Sequence, residues 1–344
     1  MGRKTTVVAA ITLGLAVCLH GCSHNAEPLV VSRTTLGTVV TVTAYGETSG
    51  IETAVDSAFT AMDDVSAELD AYSPDTPIAR FNQDPYSARE LPASAVTVLD
   101  ALDRLGVADG FSPALLGVSA LYGFESSETV PSDASLANAV AASLMFSRDG
   151  EIASFGVTGD QNVPLPGLDF GGAAKGLGLD LALDKLRNGA VGAAVVSAGS
   201  STVTLGEKPG GEPWRIGIED PRDDGRVLAV VEALVPCAVS TSGDYQRYFE
   251  SGGVRYHHIL DPATGAPVRG LRSLTVFGPL DTFSGLDADI LSTALFVMGA
   301  EKAEGYAHAH GLGLYMVDAE GRALVVPAPE SSGVRLVIEA EPVR

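Results

Sequence analysis

Thr38-Val39-Val40-Thr41-Val42-Thr43-Ala44 is followed by Ile51, Val55, Phe59, Met62, Val65 and Leu69, and the two runs have different periods. The first alternates with period two, the pattern of a strand with one face covered. The second places apolar residues three and four apart, which predicts an amphipathic helix over 51–71. Further along, Leu99, Leu102 and Leu105 predict a second helix, closed in the Gly106 and Gly110 region. Residues 133–145 predict a third, Ala173 to Arg187 a fourth ended by Asn188-Gly189, and Asp287 to Met298 another with Gly299 at its end. Short β-like runs fall at 193–197, 214–218, 228–235, 273–277, 313–318 and 334–339. Strands and helices mix without regular βαβ alternation and without repeats. The reading is an α+β fold, with mixed or antiparallel sheets packed with helices in one unit.

Composition narrows the function. The 344 residues suit one large or two modest domains. Apolar residues make up 46%, enough for a sizeable core and too many for a disordered chain. The net charge of −21 repels phosphate backbones, and aromatics are only 6%, so no nucleic-acid partner is expected.

The N-terminus has the form of an export signal. Arg3 and Lys4 precede an apolar stretch from Val7 to Leu19, too short to span a bilayer as a lasting helix. Leu19-His20-Gly21-Cys22 then reads as a lipobox, in which Cys22 takes the lipid and becomes the new N-terminus. A plain signal peptide cleaved near Ala26 is the alternative. The expected organisation is a lipoprotein signal peptide over 1–21, a lipidated tether over 22–28 and a folded domain over 29–344. The protein is then extracytoplasmic, lipid-anchored to a bacterial cell membrane. Cys237, in the apolar run Leu234 to Val239, is expected to be a buried small residue rather than a nucleophile.

Three segments carry chemistry. The first joins Ser240-Thr241-Ser242-Gly243-Asp244-Tyr245 to Tyr256-His257-His258-Ile259-Leu260-Asp261-Pro262-Ala263-Thr264-Gly265. Its opening part reads as a small, polar turn whose N–H groups and hydroxyls can cradle an oxygen-rich ligand. Its two histidines fall at a strand end, where alternate side chains face opposite ways, so one is structural. The other can take a proton near neutral pH. The second segment is Leu286 to Leu295, where Asp289 and Thr293 are i and i+4 on one helix face. A carboxylate and a hydroxyl so placed can bind a hard divalent cation such as Mg²⁺. The alternative is a helix-start carboxylate, a role that Asp287 fits better than Asp289 does. The third segment, Leu168 to Gly176, puts a glycine pair before a helix, with Lys175 adding charge for a phosphate. Its alternative is an ordinary strand-to-helix turn.

In order, these segments resemble the ApbE family of FAD:protein FMN transferases. The resemblance also takes in Thr35-Leu36-Gly37-Thr38, Asp70 to Asn82, Gly110 to Phe124 and Trp214 to Pro221, and so covers nearly all of the chain beyond the signal. It implies an ApbE-like, T-fold-like architecture. It implies that the enzyme takes FAD as substrate, uses Mg²⁺, and transfers FMN to a threonine or serine hydroxyl of a partner flavoprotein, releasing AMP. Asp289 and Thr293 match the metal ligands, with the backbone oxygen of Ala174 as a third. Tyr72 matches an aromatic that packs on flavin or adenine. Leu36, Gly110, Phe111, Ser112, Gly171, Leu177 and Ile259 match FAD-contact positions, and His258 matches the family histidine, the candidate general base. Lys175 for phosphate and Asp244 as a ligand anchor are assignments from chemistry. Three places depart from the family pattern: Leu36 replaces a methionine, Ser112 an aspartate, and Ala198-Gly199-Ser200 a Gly-Gly-Asn. The implied acceptors are extracytoplasmic FMN-binding domains of Rnf-type and Na⁺-translocating quinone reductase-type complexes, or secreted flavin reductases. The rival readings are a Mg²⁺-dependent FAD pyrophosphatase, with Asn82 in the segment that bears on the choice, and a non-catalytic flavin-binding lipoprotein.

Overall fold

The computed structural model describes residues 27–46, 48–124, 126–157 and 164–343. The expected signal peptide, Cys22 and all but the last two residues of the expected tether lie outside the described residues. The frame is an eight-stranded sheet whose strands lie side by side in chain order. They are Leu29–Thr35, Thr38–Tyr45, Ala193–Ala198, Ser201–Leu205, Cys237–Gly243, Leu271–Pro279, Gly313–Asp318 and Ala323–Val326. Every neighbouring pair is antiparallel. Thus the α+β reading holds, and the ladder of the main sheet is antiparallel rather than mixed.

The first hairpin turns at Leu36-Gly37, with φ of 51° and 70°. Positive φ at both central residues matches the right-handed twist of the flanking strands. Leu36 sits there without being glycine, and its side chain fills the space a Cβ on Gly178 would occupy, 2.6 Å away.

The sheet is buried on both faces. Thr48–Leu69, Ala174–Asn188 and Gly285–Met298 pack on one face. A three-stranded antiparallel sheet of Trp214–Asp220, Asp223–Ala233 and Val334–Ile338 covers the other. The strand Gly313–Asp318 shows the division: Leu314 and Met316 enter the helix-side core, Tyr315 and Val317 the other. Each large side chain so buried stabilises the fold by about 1.5–3 kcal/mol. A third, smaller cluster joins Val118, Tyr122, Ala139 and Val140 of two short helices to Phe249 and Leu260. The Tyr122 hydroxyl ties it down by donating to the Gly265 carbonyl at 3.0 Å.

Most predicted elements are present within a few residues, and 313–318 coincides with its strand. The predicted 51–71 helix is Thr48–Leu69, and the predicted 228–235 strand is Asp223–Ala233. One reading is corrected. Ser240 to Gly243 is not a turn but the second half of the inner strand Cys237–Gly243, paired to the strands on both sides. Ladder pairing outweighs the turn preference of small polar residues. No helix among the described residues is long and apolar enough to cross a membrane.

Candidate active site

The site begins where two helices touch. Gly285–Met298 starts with a capping box: the Ser284 hydroxyl accepts from Asp287 N–H, and the Asp287 carboxylate accepts from Ser284 N–H. Asp287 also pairs with Arg104. The cap role therefore belongs to Asp287, as its position predicts, and Asp289 is left for other work. The Asp180 carboxylate, from the neighbouring helix Ala174–Asn188, accepts from Gly285 and Leu286 N–H at 2.7 and 2.8 Å. Burial pushes Asp180 up to about 6, against the pull of those two N–H groups. The helices approach so closely at Gly176 that an added Cβ would meet the Gly285 carbonyl oxygen at 2.3 Å.

That approach delivers Asp289. The side chain is buried, and its Oδ2 accepts from Gly176 N–H at 2.9 Å. Its Oδ1 accepts from the Ser201 hydroxyl at 3.0 Å and lies 3.1 Å from Lys175 Nζ. The N–H expected to stay free for an anion at this helix start is thus occupied by the protein's own carboxylate. Around it runs a net of hydroxyls. Ser240 meets Ser201 at 3.0 Å and Ser292 at 3.2 Å, and Ser242 meets Ser292 and Thr293 at 3.0 Å each. Strand alternation aims Ser240 and Ser242 at the helix together. The segment read as a turn therefore still supplies hydroxyls to the site, but from a strand.

A cavity of about 470 Å³ opens over this net, within the usual range of ligand pockets. Its walls bring together Tyr72, Gly110, Phe111, Ser112, Gly171, Lys175, His258, Ile259, Asp289 and Thr293. On one rim the Tyr72 hydroxyl donates to Asp169 Oδ2 at 2.7 Å, and Gly171 N–H donates to Asp169 Oδ1 at 2.8 Å. Ser112 turns its hydroxyl back to accept from Ala114 N–H at 3.2 Å.

The two histidines take opposite tautomers. His257 is buried, its Nε2 donating to the Val268 carbonyl at 2.8 Å and its Nδ1 accepting from Ile259 N–H at 3.3 Å. It is structural. His258 lies on the cavity wall, and its Nδ1 donates to the Arg247 carbonyl at 3.2 Å. A carbonyl can only accept, so Nε2 carries the lone pair. Burial first, then the Arg247 charge, holds the His258 pKa down at about 3.

Four predicted residues are not on the walls. Leu36 stands behind the lysine helix against Gly178, and Leu177 is buried in the core. Ala174 is the first residue of that helix, its N–H on the Phe170 carbonyl. Asp244 is also off the walls, and Arg222 grips its carboxylate with both guanidinium nitrogens at 2.7 and 2.6 Å. Cys237 is buried as expected, and burial pushes its thiol up to about 11. Sequence reasoning missed Ser201, Asp169 and Arg247. Ser201 and Asp169 become visible only through partners far along the chain, and Arg247 belongs to no motif.

The fold and this acid-and-hydroxyl cavity define an α+β protein with a candidate ligand site, and its solved neighbours are flavin transferases. A solved ApbE protein from Thermotoga maritima superposes with a TM-score of 0.76 at 28% identity, over 89% of this chain and 98% of its own. The flavin transferase ApbE from Vibrio cholerae gives 0.72 at 26% identity, over 91% and 97%. In sequence, the FAD:protein FMN transferase of Vibrio cholerae serotype O1 is 32% identical over 322 residues, 89% of this chain and 92% of that protein. The protein of the same name from Haemophilus influenzae is 30% identical over 330 residues, 91% and 93%. The ApbE family model matches residues 36–316, and the chain belongs to the ApbE family.

Proposed function

We propose that this chain is an FAD:protein FMN transferase that moves FMN from FAD to a threonine or serine hydroxyl of an acceptor flavoprotein and releases AMP. The observation that carries the reading is one cavity lined by Asp289, Thr293, Lys175 and His258 together. The acceptor oxygen forms a bond to the FMN-side phosphorus, and the bond from that phosphorus to the bridging oxygen breaks. AMP leaves with the bridging oxygen, and the hydroxyl proton goes to Nε2 of His258. Nδ1 is held by the Arg247 carbonyl, which fixes the ring for that task. At a pKa of about 3 the imidazole is neutral at pH 7, and an arriving pyrophosphate offsets the Arg247 and Lys175 charges that depress it. Reaction of this kind relies on positioning and charge neutralisation. Lys175 and Arg247 supply cationic charge, while Tyr72, Phe111 and Ile259 offer apolar surface to flavin or adenine.

The donors at Asp289 suit Mg²⁺. They are one carboxylate and several hydroxyls, all hard oxygens, and Mg²⁺ takes one or two protein carboxylates and completes its shell from phosphate and water. Asp289 and Thr293 would hold it, with the Ala174 carbonyl oxygen as a third ligand. When bound it supplies charge neutralisation to the pyrophosphate.

The reading of Leu19 to Cys22 as a lipobox supports an enzyme outside the cytoplasmic membrane, held by lipid. The acceptors are then extracytoplasmic FMN-binding domains, those of Rnf-type and Na⁺-translocating quinone reductase-type complexes or secreted flavin reductases. Asn82 holds the Leu168 backbone with its amide, accepting from the N–H at 2.7 Å and donating to the carbonyl at 2.8 Å. The test is incubation with FAD, with and without Mg²⁺ and an acceptor domain, following AMP and the acceptor's intact mass. AMP with an FMN-sized mass gain is expected. Metal-dependent AMP beside an unmodified acceptor would instead favour the pyrophosphatase, and tight FAD binding without AMP a passive binder.

A further inference from the structure

Asp289 already has a cation, and it comes from the chain itself. Lys175 Nζ stands 3.1 Å from Oδ1, with the lysine side chain mostly covered and the carboxylate almost wholly so. Among the described residues Oδ2 accepts from Gly176 N–H, while Oδ1 takes the Ser201 and Ser240 hydroxyls beside Lys175, so the lysine is the one positive charge held against this carboxylate. Both residues line the cavity. A pair this close in a partly desolvated place interacts far more strongly than one in water. Yet lysine reaches it on a flexible four-carbon stem and offers a point charge, so it can swing to another anion nearby.

We propose that Lys175 is an exchangeable counter-cation of Asp289 that opposes divalent metal until a pyrophosphate draws it away. This rests on the reading above that Asp289 is a metal ligand and a pyrophosphate compound the substrate. Two cations then compete for the Asp289 carboxylate, and the substrate relieves the competition by giving Lys175 a new partner. Metal and substrate affinities become linked, each strengthening the other by the same factor. Nothing else among the described residues brings a second ammonium or guanidinium to Asp289.

The test measures Mn²⁺ binding to the purified protein by the loss of the free-ion paramagnetic signal, with and without ADP as the pyrophosphate probe. Lys175→Met keeps the stem and removes the charge. It is expected to bind Mn²⁺ about tenfold more tightly than the wild type without nucleotide, since a repelling charge at contact distance is gone. Lys175→Arg, which keeps the charge, is expected to stay weak. ADP is expected to tighten Mn²⁺ more in the wild type than in Lys175→Met; the nucleotide's own chelation is the same in both and cancels. Equal Mn²⁺ affinities in wild type and Lys175→Met, or an equal ADP effect, would overturn the proposal alone. Absence of Mn²⁺ binding from both would overturn the metal-site reading and the proposal with it. Should Lys175→Met not fold, a Lys175→Gln protein answers the same question.

Discussion

The chemistry concentrates in two side chains with contrasting surroundings. Asp289 is buried and surrounded by donors that fix its carboxylate in place. Asp289→Asn keeps the shape and removes the charge, and AMP release is expected to be lost while the fold persists; unchanged release would end the metal assignment. His258 is kept neutral by burial and by Arg247. His258→Ala is expected to slow transfer about 10²–10⁴-fold, the usual worth of a positioned base. A change in FAD affinity alone would make it a binding residue. The pH behaviour follows from the direction of the shift. The folded pKa of about 3 lies below the ordinary 6.5, so this group's contribution to stability is complete above 6.5 and is lost as pH falls toward 3. In kcat/KM, which reports the free enzyme, no acid limb is expected near pH 6.5. In kcat the limb should move upward, because the bound pyrophosphate favours the charged ring. A kcat/KM limb at 6.5 would contradict the assigned burial.

At the scale of elements, the contact between the lysine and aspartate helices sets the site. Gly176 permits it, and a Cβ there would also come within 2.7 Å of the Asp289 Cβ. Gly176→Ala is therefore expected to cost roughly 1–3 kcal/mol through overpacking and to reduce activity more than a distant Gly→Ala does. Parallel melting and rate measurements check both. Ser284→Ala should cost about 1 kcal/mol by removing a helix cap. This scale also separates what the sequence disclosed from what it concealed. The Asp289 and Thr293 pair was legible because both lie on one helix face, and the division of labour between His257 and His258 followed from strand alternation. Lys175 beside Asp289 was not legible, because the two are far apart in the chain and meet only through helix packing. Ser240 to Gly243 misled because small hydroxylated residues favour turns, whereas the strand Leu271–Pro279 pairs the whole segment and Ser201–Leu205 pairs Ser240 from the other side. Leu29–Thr35 and Ser201–Leu205 carry weak alternation for the same kind of reason: neighbours, not local pattern, hold them in the sheet.

The whole molecule is a helix layer, a chain-ordered antiparallel sheet and a small covering sheet, with the cavity set at the helix side. The sequence has one tryptophan, Trp214, buried in the covering layer with its indole N–H on the Gly206 carbonyl at 3.0 Å. Since both cores share the central sheet, Trp214 emission and far-UV circular dichroism are expected to change together on urea unfolding. Separate midpoints would show that the covering sheet opens alone. The cavity over Asp289 is expected to receive the pyrophosphate. The most direct measurement is a crystal structure of the protein soaked with ADP and Mg²⁺. The prediction is phosphate oxygens in that cavity beside Lys175, with His258 lining the same cavity and a metal on Asp289 and Thr293. Nucleotide bound elsewhere, with the Lys175–Asp289 pair intact, would contradict it.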